Sequence, residues 1–250
     1  MGVQPGQVAV LEIRRPPNNF FDIDLIRDLA GALERLADDG ECRAVVLCSE
    51  GKHFCAGANF GSGERHSGIS REDEHLYDVA IRLFEQPLPI VAAIQGAAIG
   101  GGLGLALAAD FRVACSEARF SANFARLGIH HGFGLSVTLP MVVGHQRSLE
   151  LLYTGRRIDG DDALRIGLCD RLVPLVDVRS ASMAFADDIA ASAPLAVRSI
   201  RKTMRGHLAD NVRAALVGEK TEQDRLVQTD DWGEGVRATA ERRAPTFQGR

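Results

Sequence analysis

The stretch IQGAAIGGGLGLALAAD, residues 94–110, constrains this chain more than any other. Five glycines stand among small apolar residues, and no charge appears before Asp110. With the residues just before it, the span from Pro89 to Ala109 holds 21 uncharged positions, enough for the roughly 20 that a membrane helix requires. β-Branched residues give way to glycines midway and the basic flanks of an anchor are missing, so the span divides in two. PIVAAI (89–94) is predicted to be a buried strand, QGAAIG (95–100) a turn, and GGLGLALAA (101–109) a short buried helix.

A strand, a glycine turn and a helix also make nucleotide-binding loops, but the details fail here. No GK[ST] follows, and after Gly102-Leu103-Gly104 the third small residue of a dinucleotide fingerprint is missing. Asp110 is too close to serve a ribose expected about 20 residues on. What remains is a helix N-terminus with unpaired N–H groups and a positive dipole end, presented by residues without side chains. Such an end can hold a developing oxyanion.

The chain of 250 residues is 46% hydrophobic and 25% charged, the composition of one large globular domain or one domain with an appendage. A net charge of −4 offers no basic stripe, which argues against nucleic acid and membrane as partners and for a small molecule. The five cysteines (42, 48, 55, 115, 169) are odd in number and form no CxxC pair. Neither a disulfide framework nor a metal site is expected, and a reducing cytoplasm is the expected compartment. The opening MGVQPGQVAV carries neither a signal-peptide pattern nor a myristoylation site.

QVAVLEI (7–13) and RAVVLCSE (43–50) read as buried strands. Between them, Ile23, Ile26, Leu29, Ala30, Leu33 and Leu36 recur at helical spacing over 23–39. The glycine-rich polar segment 50–68 reads as a functional loop, followed by a helix over about 71–86. DFRVAC and ARFSANF read as short strands, and from Gly132 the pattern is mostly helical.

HFCAGAN (53–59), GAAIGGGLGLALAAD (96–110), LELLYTGRRIDGDDALRIGLCDRLVP (149–174) and RRAPTFQGR (242–250), with RPPNNFFD (15–22), resemble in order and spacing the crotonase superfamily, the enoyl-CoA hydratases and isomerases. The resemblance implies an α/β fold: a crotonase-like spiral of ββα units over residues 1–190 holding an acyl-CoA site, then a C-terminal helical region, 191–250, used for trimer contacts. It implies an enzyme acting on an acyl-CoA thioester, with coenzyme A as part of the substrate and no separate cofactor, assembled as a homotrimer or dimer of trimers. Two backbone N–H groups of the family stabilise the thioester enolate; carried onto this sequence they are those of Ala56 and Gly101. Pro17, Asn18, Phe54, Ala56 and Asn59 are expected along the CoA and substrate channel. Phe247 is expected to cover one end, and Arg14, Arg15 and Lys52 to stand near the phosphates.

This sequence departs from the family at the acids. Gly104 and Phe124 stand where hydratases place two glutamates, and neither side chain can move a proton. His130 and His131, on the segment leading into the next helix, are the candidates to replace them. Glu64 and His66 come second, and Cys55 beside the presumed donor is a nucleophile only in outline, since buried cysteine is common packing. Three activities fit these residues: an enoyl-CoA hydratase/isomerase-type enzyme with altered proton-transfer groups, an acyl-CoA-binding protein without chemistry, and a hydrolase or C–C bond enzyme using His130 and His131.

Overall fold

Two apolar runs and the amphipathic stretch between them set up the first unit. In the computed structural model, which describes residues 7–59, 70–71 and 74–250, they form β1 (Val8–Ile13), α1 (Ile23–Asp39) and β2 (Ala44–Ser49). The Asp22 carboxylate caps α1 by accepting the Leu25 N–H, and Gly40 ends it in the left-handed region at φ 76°. All six apolar positions expected at helical spacing are buried. β1 and β2 pair in parallel, from Val8 opposite Ala44 to Ile13 opposite Ser49, the arrangement an intervening helix allows.

The short strands β3 (Ser70–Arg71) and β4 (Glu74–His75) precede α2 (Leu76–Phe84), which begins later than the periodicity predicts. Then come β5 (Ile90–Ile94), β6 (Ala97–Ile99), α3 (Gly101–Ala108), β7 (Phe111–Ala114) and β8 (Arg119–Ser121). QGAAIG is therefore not a turn throughout: Ala97–Ile99 pairs in parallel with Arg119–Ser121. Three small residues are too few to display a period of two, and the pairing partner makes them a strand. The strand expected to reach Phe124 stops at Ser121, because Asn123–Leu127 winds into a 3-10 turn.

Beyond it lie α4 (Leu135–Val143), α5 (His145–Thr154), β9 (Ile158–Asp159), α6 (Gly160–Arg165), β10 (Arg171–Leu172), a second 3-10 turn (Leu175–Asp177), α7 (Val178–Ala190), α8 (Pro194–Arg205), α9 (Leu208–Leu226) and α10 (Asp230–Ala240). The parallel sheet runs β1-β2-β5-β7-β10, and a smaller sheet runs β6-β8-β9. Every residue of β2 and β5 is buried, as parallel strands covered on both faces require. The 21 uncharged residues are thus divided among β5, β6 and α3, and among the described residues no helix is long and apolar enough to cross a membrane.

The C-terminal helices turn back onto this core. α9 packs on α2 and α4, and α10 on the first 3-10 turn. Within the 191–250 region to which the resemblance assigns trimer contacts, Leu208, Val212 and Leu216 are buried within the chain, whereas Leu195, Ile200 and Met204 of α8 are exposed. α8 is tied to the core through Asp110, which accepts the Ile90 N–H at 2.9 Å, Arg201 Nε at 3.0 Å and Arg205 Nη1 at 2.5 Å. All three charged side chains are 15% exposed or less. Removing the carboxylate leaves two guanidinium groups without their counter-charge. Asp110→Ala is expected to lower stability in urea unfolding by about 3–5 kcal/mol; a loss under about 1 kcal/mol would mean that solvent already screens the cluster.

Candidate active site

The site begins with a backbone pairing. Cys55 N–H donates to the Ala97 carbonyl at 2.8 Å, and the Cys55 carbonyl accepts the Ile99 N–H at 3.1 Å, so residue 55 lies as an extra strand along β6. Phe54 and Cys55 are fully buried by this pairing. Burial pushes the Cys55 thiol up to about 12, which makes it packing rather than a nucleophile at neutral pH. Phe54 is likewise fully buried in the core.

The next residues decide which N–H groups are available. Ala56 N–H donates to the Asn18 carbonyl at 3.0 Å, and the Gly57 carbonyl accepts the Phe21 N–H at 3.1 Å. The donor expected at Ala56 is therefore already occupied, which corrects that assignment. Two residues on, the Ala58 N–H meets no acceptor among the described residues. At the start of α3, the Gly100 carbonyl accepts from Leu103 and Gly104, whereas the Gly101 N–H also meets no acceptor among the described residues. Small residues are obligatory here. A Cβ on Gly101 would fall 2.2 Å from the Phe21 ring, and one on Gly102 would fall 2.2 Å from the Cys55 carbonyl oxygen.

Ala58 and Gly101 both line a cavity of about 350 Å³. Its wall is largely aromatic and aliphatic, with Phe20, Phe21, Phe124, Phe133, Leu127 and Trp232. Ala56 and Asn59, expected in the channel, are on this wall; Pro17, Asn18 and Phe247 are not. Pro17 is exposed, Asn18 contributes its carbonyl to Ala56, and Phe247 lies in a tail whose Gln248 and Gly249 N–H groups donate to the Asp231 carboxylate. Arg14 and Arg15 pair with Glu12 and Asp22, and Lys52 is exposed. Glu64 and His66 lie outside the described residues. A larger cavity, about 530 Å³, lies beneath α8 and contains none of the expected site residues.

The two positions at which the resemblance implies acids are apolar in three dimensions as well as in sequence. Phe124 faces the cavity, and Gly104 is covered by the ring of Phe133. His130 and His131 stack on each other with centroids 4.1 Å apart, and neither is on the cavity wall, although their neighbours Ile129 and Phe133 are. His131 Nε2 lies 2.8 Å from Ser136 Oγ. Burial, with the neighbouring His130 adding to it, holds the His131 imidazole down to about 4, hence neutral at pH 7.

The sequence reading missed His75, Tyr77 and Gln223, which bring polar groups to the same wall. His75 caps α2, its Nδ1 accepting the Tyr77 N–H at 3.1 Å. The buried Tyr77 hydroxyl donates to Gln223 Oε1 at 2.8 Å, and Gln223 Nε2 donates to the His130 carbonyl at 2.9 Å. Burial raises the Tyr77 phenol. Tyr77 and Gln223 are 146 positions apart, and no local pattern links them. Trp232, Val236, Thr239 and Ala240 of α10 complete the wall; their helical spacing of 4, 3 and 1 is the signal that would have found them.

Residues 4–250 match the profile of the family described as Enoyl-CoA hydratase/isomerase. A probable enoyl-CoA hydratase from Rhodobacter capsulatus is 34% identical over 247 residues, covering 97% of this chain and 95% of that protein. Among solved structures, an enoyl-CoA hydratase/isomerase from Pseudoalteromonas atlantica matches with a TM-score of 0.88 at 30% identity, over 98% of both chains. A carnitinyl-CoA hydratase from Mycobacterium avium matches with a TM-score of 0.89 at 30% identity, over 99% of this chain and 97% of that one.

The half-buried His131 makes stability depend on pH. His131 titrates near 4 when folded against 6.5 when free, so between those values the unfolded chain binds more protons and stability rises with pH. Acidification from pH 6.5 towards 4 is expected to cost about 1–2 kcal/mol through this ring, allowing for its partial exposure. His131→Gln should flatten that part of the urea-midpoint profile; an unaltered profile would assign the pH dependence to other groups.

Proposed function

The chain belongs to the enoyl-CoA hydratase/isomerase family, and from that premise we propose that its aromatic cavity holds the acyl group of an acyl-CoA thioester, with the thioester oxygen between the N–H groups of Ala58 and Gly101. The observation that carries this reading is that two N–H groups from separate segments reach one cavity wall and lack any acceptor among the described residues. Gly101 is buried and Ala58 half-buried; backbone donors withdrawn from water are normally paired, so two such groups on one largely apolar wall mark a place for an incoming oxygen. Gly101 adds the positive end of α3, and negative charge built on a thioester oxygen is what such an end stabilises.

Proton handling differs from that of a two-glutamate hydratase. Gly104 and Phe124 supply neither a general base for water nor an acid for the adjacent carbon. The polar side chains on the wall include Asn59, His75, Tyr77, Asn123, Gln223, Asp224 and Thr239, and Gln223 is already engaged by Tyr77 and His130. Enolate stabilisation is the strongest chemistry this wall offers, and addition of water the weakest. His130 and His131 have no part in this reading because they stand off the wall.

Assembly is part of the proposal. α8 presents Leu195, Ile200 and Met204 to solvent, 80%, 62% and 76% exposed, beside the larger apolar cavity. An apolar helix face of this kind is the surface that a trimer covers. Light scattering at micromolar concentration is expected to give three or six times the 26.9 kDa chain mass; a monomer would remove this element.

The donor pair is tested by Ala58→Pro, which deletes one N–H without adding bulk beyond the ring. Exchange of the α-protons of butyryl-CoA in deuterated water, followed by mass spectrometry, is expected to fall about 10²–10³-fold. Equal exchange in the variant and the wild type would remove Ala58 from the site. Tight thioester binding with no exchange in either protein would instead favour a binding role.

A further inference from the structure

Gly104 and Phe133 compete for one space. A Cβ at 104 would lie 2.7 Å from the Phe133 Cβ and 2.8 Å from its Cδ1, closer than any real contact allows. Phe133 is 1% exposed, edge-on to Phe21 with centroids 5.7 Å apart, and tilted against Phe84 at 6.4 Å. Its backbone lies in the left-handed region at φ 61°, an uncommon conformation for a bulky residue that costs about 1 kcal/mol or more. Such a placement persists only where the surroundings enforce it.

α9 enforces it. The Glu219 carboxylate, on a residue 2% exposed, accepts the N–H groups of Gly134 and Ser136 at 2.9 Å each, one on either side of the α4 start. Gln223, from the next turn of α9, holds the His130 carbonyl. The chain on both sides of Phe133 is therefore fixed, and the ring cannot swing away from Gly104.

The location gives the ring its meaning. Gly104 stands three residues after Gly101, one helical turn along the same face of α3. A polar side chain at 104 would face the thioester beside the Gly101 donor. We propose that Phe133 is the specificity-determining residue of this site: its ring takes the volume of a polar group at 104, excludes a water from that side of the substrate, and shapes the cavity for an unbranched apolar acyl chain. The inference rests on the acyl-thioester reading above. It makes Gly104 and Phe133 a single coupled unit, in which neither can change to a functional alternative alone.

The test uses the full chain as wild type, Gly104→Glu, Phe133→Ala and the double variant. Urea unfolding, calorimetric binding of butyryl-CoA and hydration of crotonyl-CoA are read for each. Gly104→Glu alone is expected to be strongly destabilised, and Phe133→Ala in the same chain to recover most of that loss. The folded double variant is expected to hydrate crotonyl-CoA about 10²-fold faster than wild type, the usual contribution of one positioned acid or base. Gly104→Glu as stable as wild type, or a folded double variant that binds butyryl-CoA but hydrates no faster than wild type, would overturn the proposal. Should the double variant not fold, Phe133→Ala decides alone: its preference for isovaleryl-CoA over butyryl-CoA is expected to rise about tenfold, as for one methyl group in a pocket, and an unchanged ratio would overturn the proposal. A wild type that binds no butyryl-CoA would sink the thioester reading itself, and the role of Phe133 with it.

Discussion

The whole site depends on one contact between two stretches of backbone. Cys55 is bonded on both sides to β6, through the Ala97 carbonyl and the Ile99 N–H, and Gly102 approaches so closely that no Cβ fits beside the Cys55 carbonyl. This pairing brings the segment after β2 and the start of α3, more than 40 residues apart in sequence, to one cavity. Two hydrogen bonds of about 1 kcal/mol each are a modest energy. The buried Phe54 and Cys55 side chains, together with the glycines that permit close approach, make the pairing rigid. Rigidity is what an oxyanion site requires, since donors that had to reorganise would lose their advantage over water.

Around this contact the chain builds a largely apolar enclosure. Phe21 lies over Gly101, Phe133 over Gly104, and Phe124 beside Gly100. The rings are mutually supporting: Phe133 meets Phe21 edge-on and Phe84 at a tilt. In low-dielectric surroundings any charge that forms interacts more strongly with the few dipoles present. At positions 104 and 124 a carboxylate is thus replaced by packed aromatic rings, not by an empty space.

Much of the fold was legible in the sequence because it rests on local patterns. The helical spacing of Ile23 to Leu36 and the apolar runs of β1, β2 and β5 follow from periodicities of 3.6 and 2 that a chain displays directly. β6 did not show itself, since Ala97–Ile99 is a strand by virtue of its neighbours. At the site, Gly101 was legible as a bare helix start. In the other segment the N–H without an acceptor among the described residues is that of Ala58 rather than Ala56, because which N–H is left over depends on where the Asn18 carbonyl lies. His130 and His131 are candidates by residue type, but in the fold they stack on each other and His131 meets Ser136. The Tyr77–Gln223 pair and the Gly104–Phe133 fit join residues 146 and 29 positions apart, and only the folded chain brings them together.

The hold of α9 on the segment before α4 has a consequence for the order in which the molecule is made. Glu219 and Gln223 fix residues 130–136, and Trp232 to Ala240 close the cavity, yet both belong to the last fifth of the polypeptide. A ribosome delivers them after every strand of the sheets has already emerged. The nascent core thus carries an open-sided pocket with Phe21, Phe84 and the region of Phe133 uncovered, and the final helices act as a closing piece. A chain stopped short near residue 207 would retain all ten strands of the described residues but leave its aromatic interior facing water, a form that chaperones and proteases recognise.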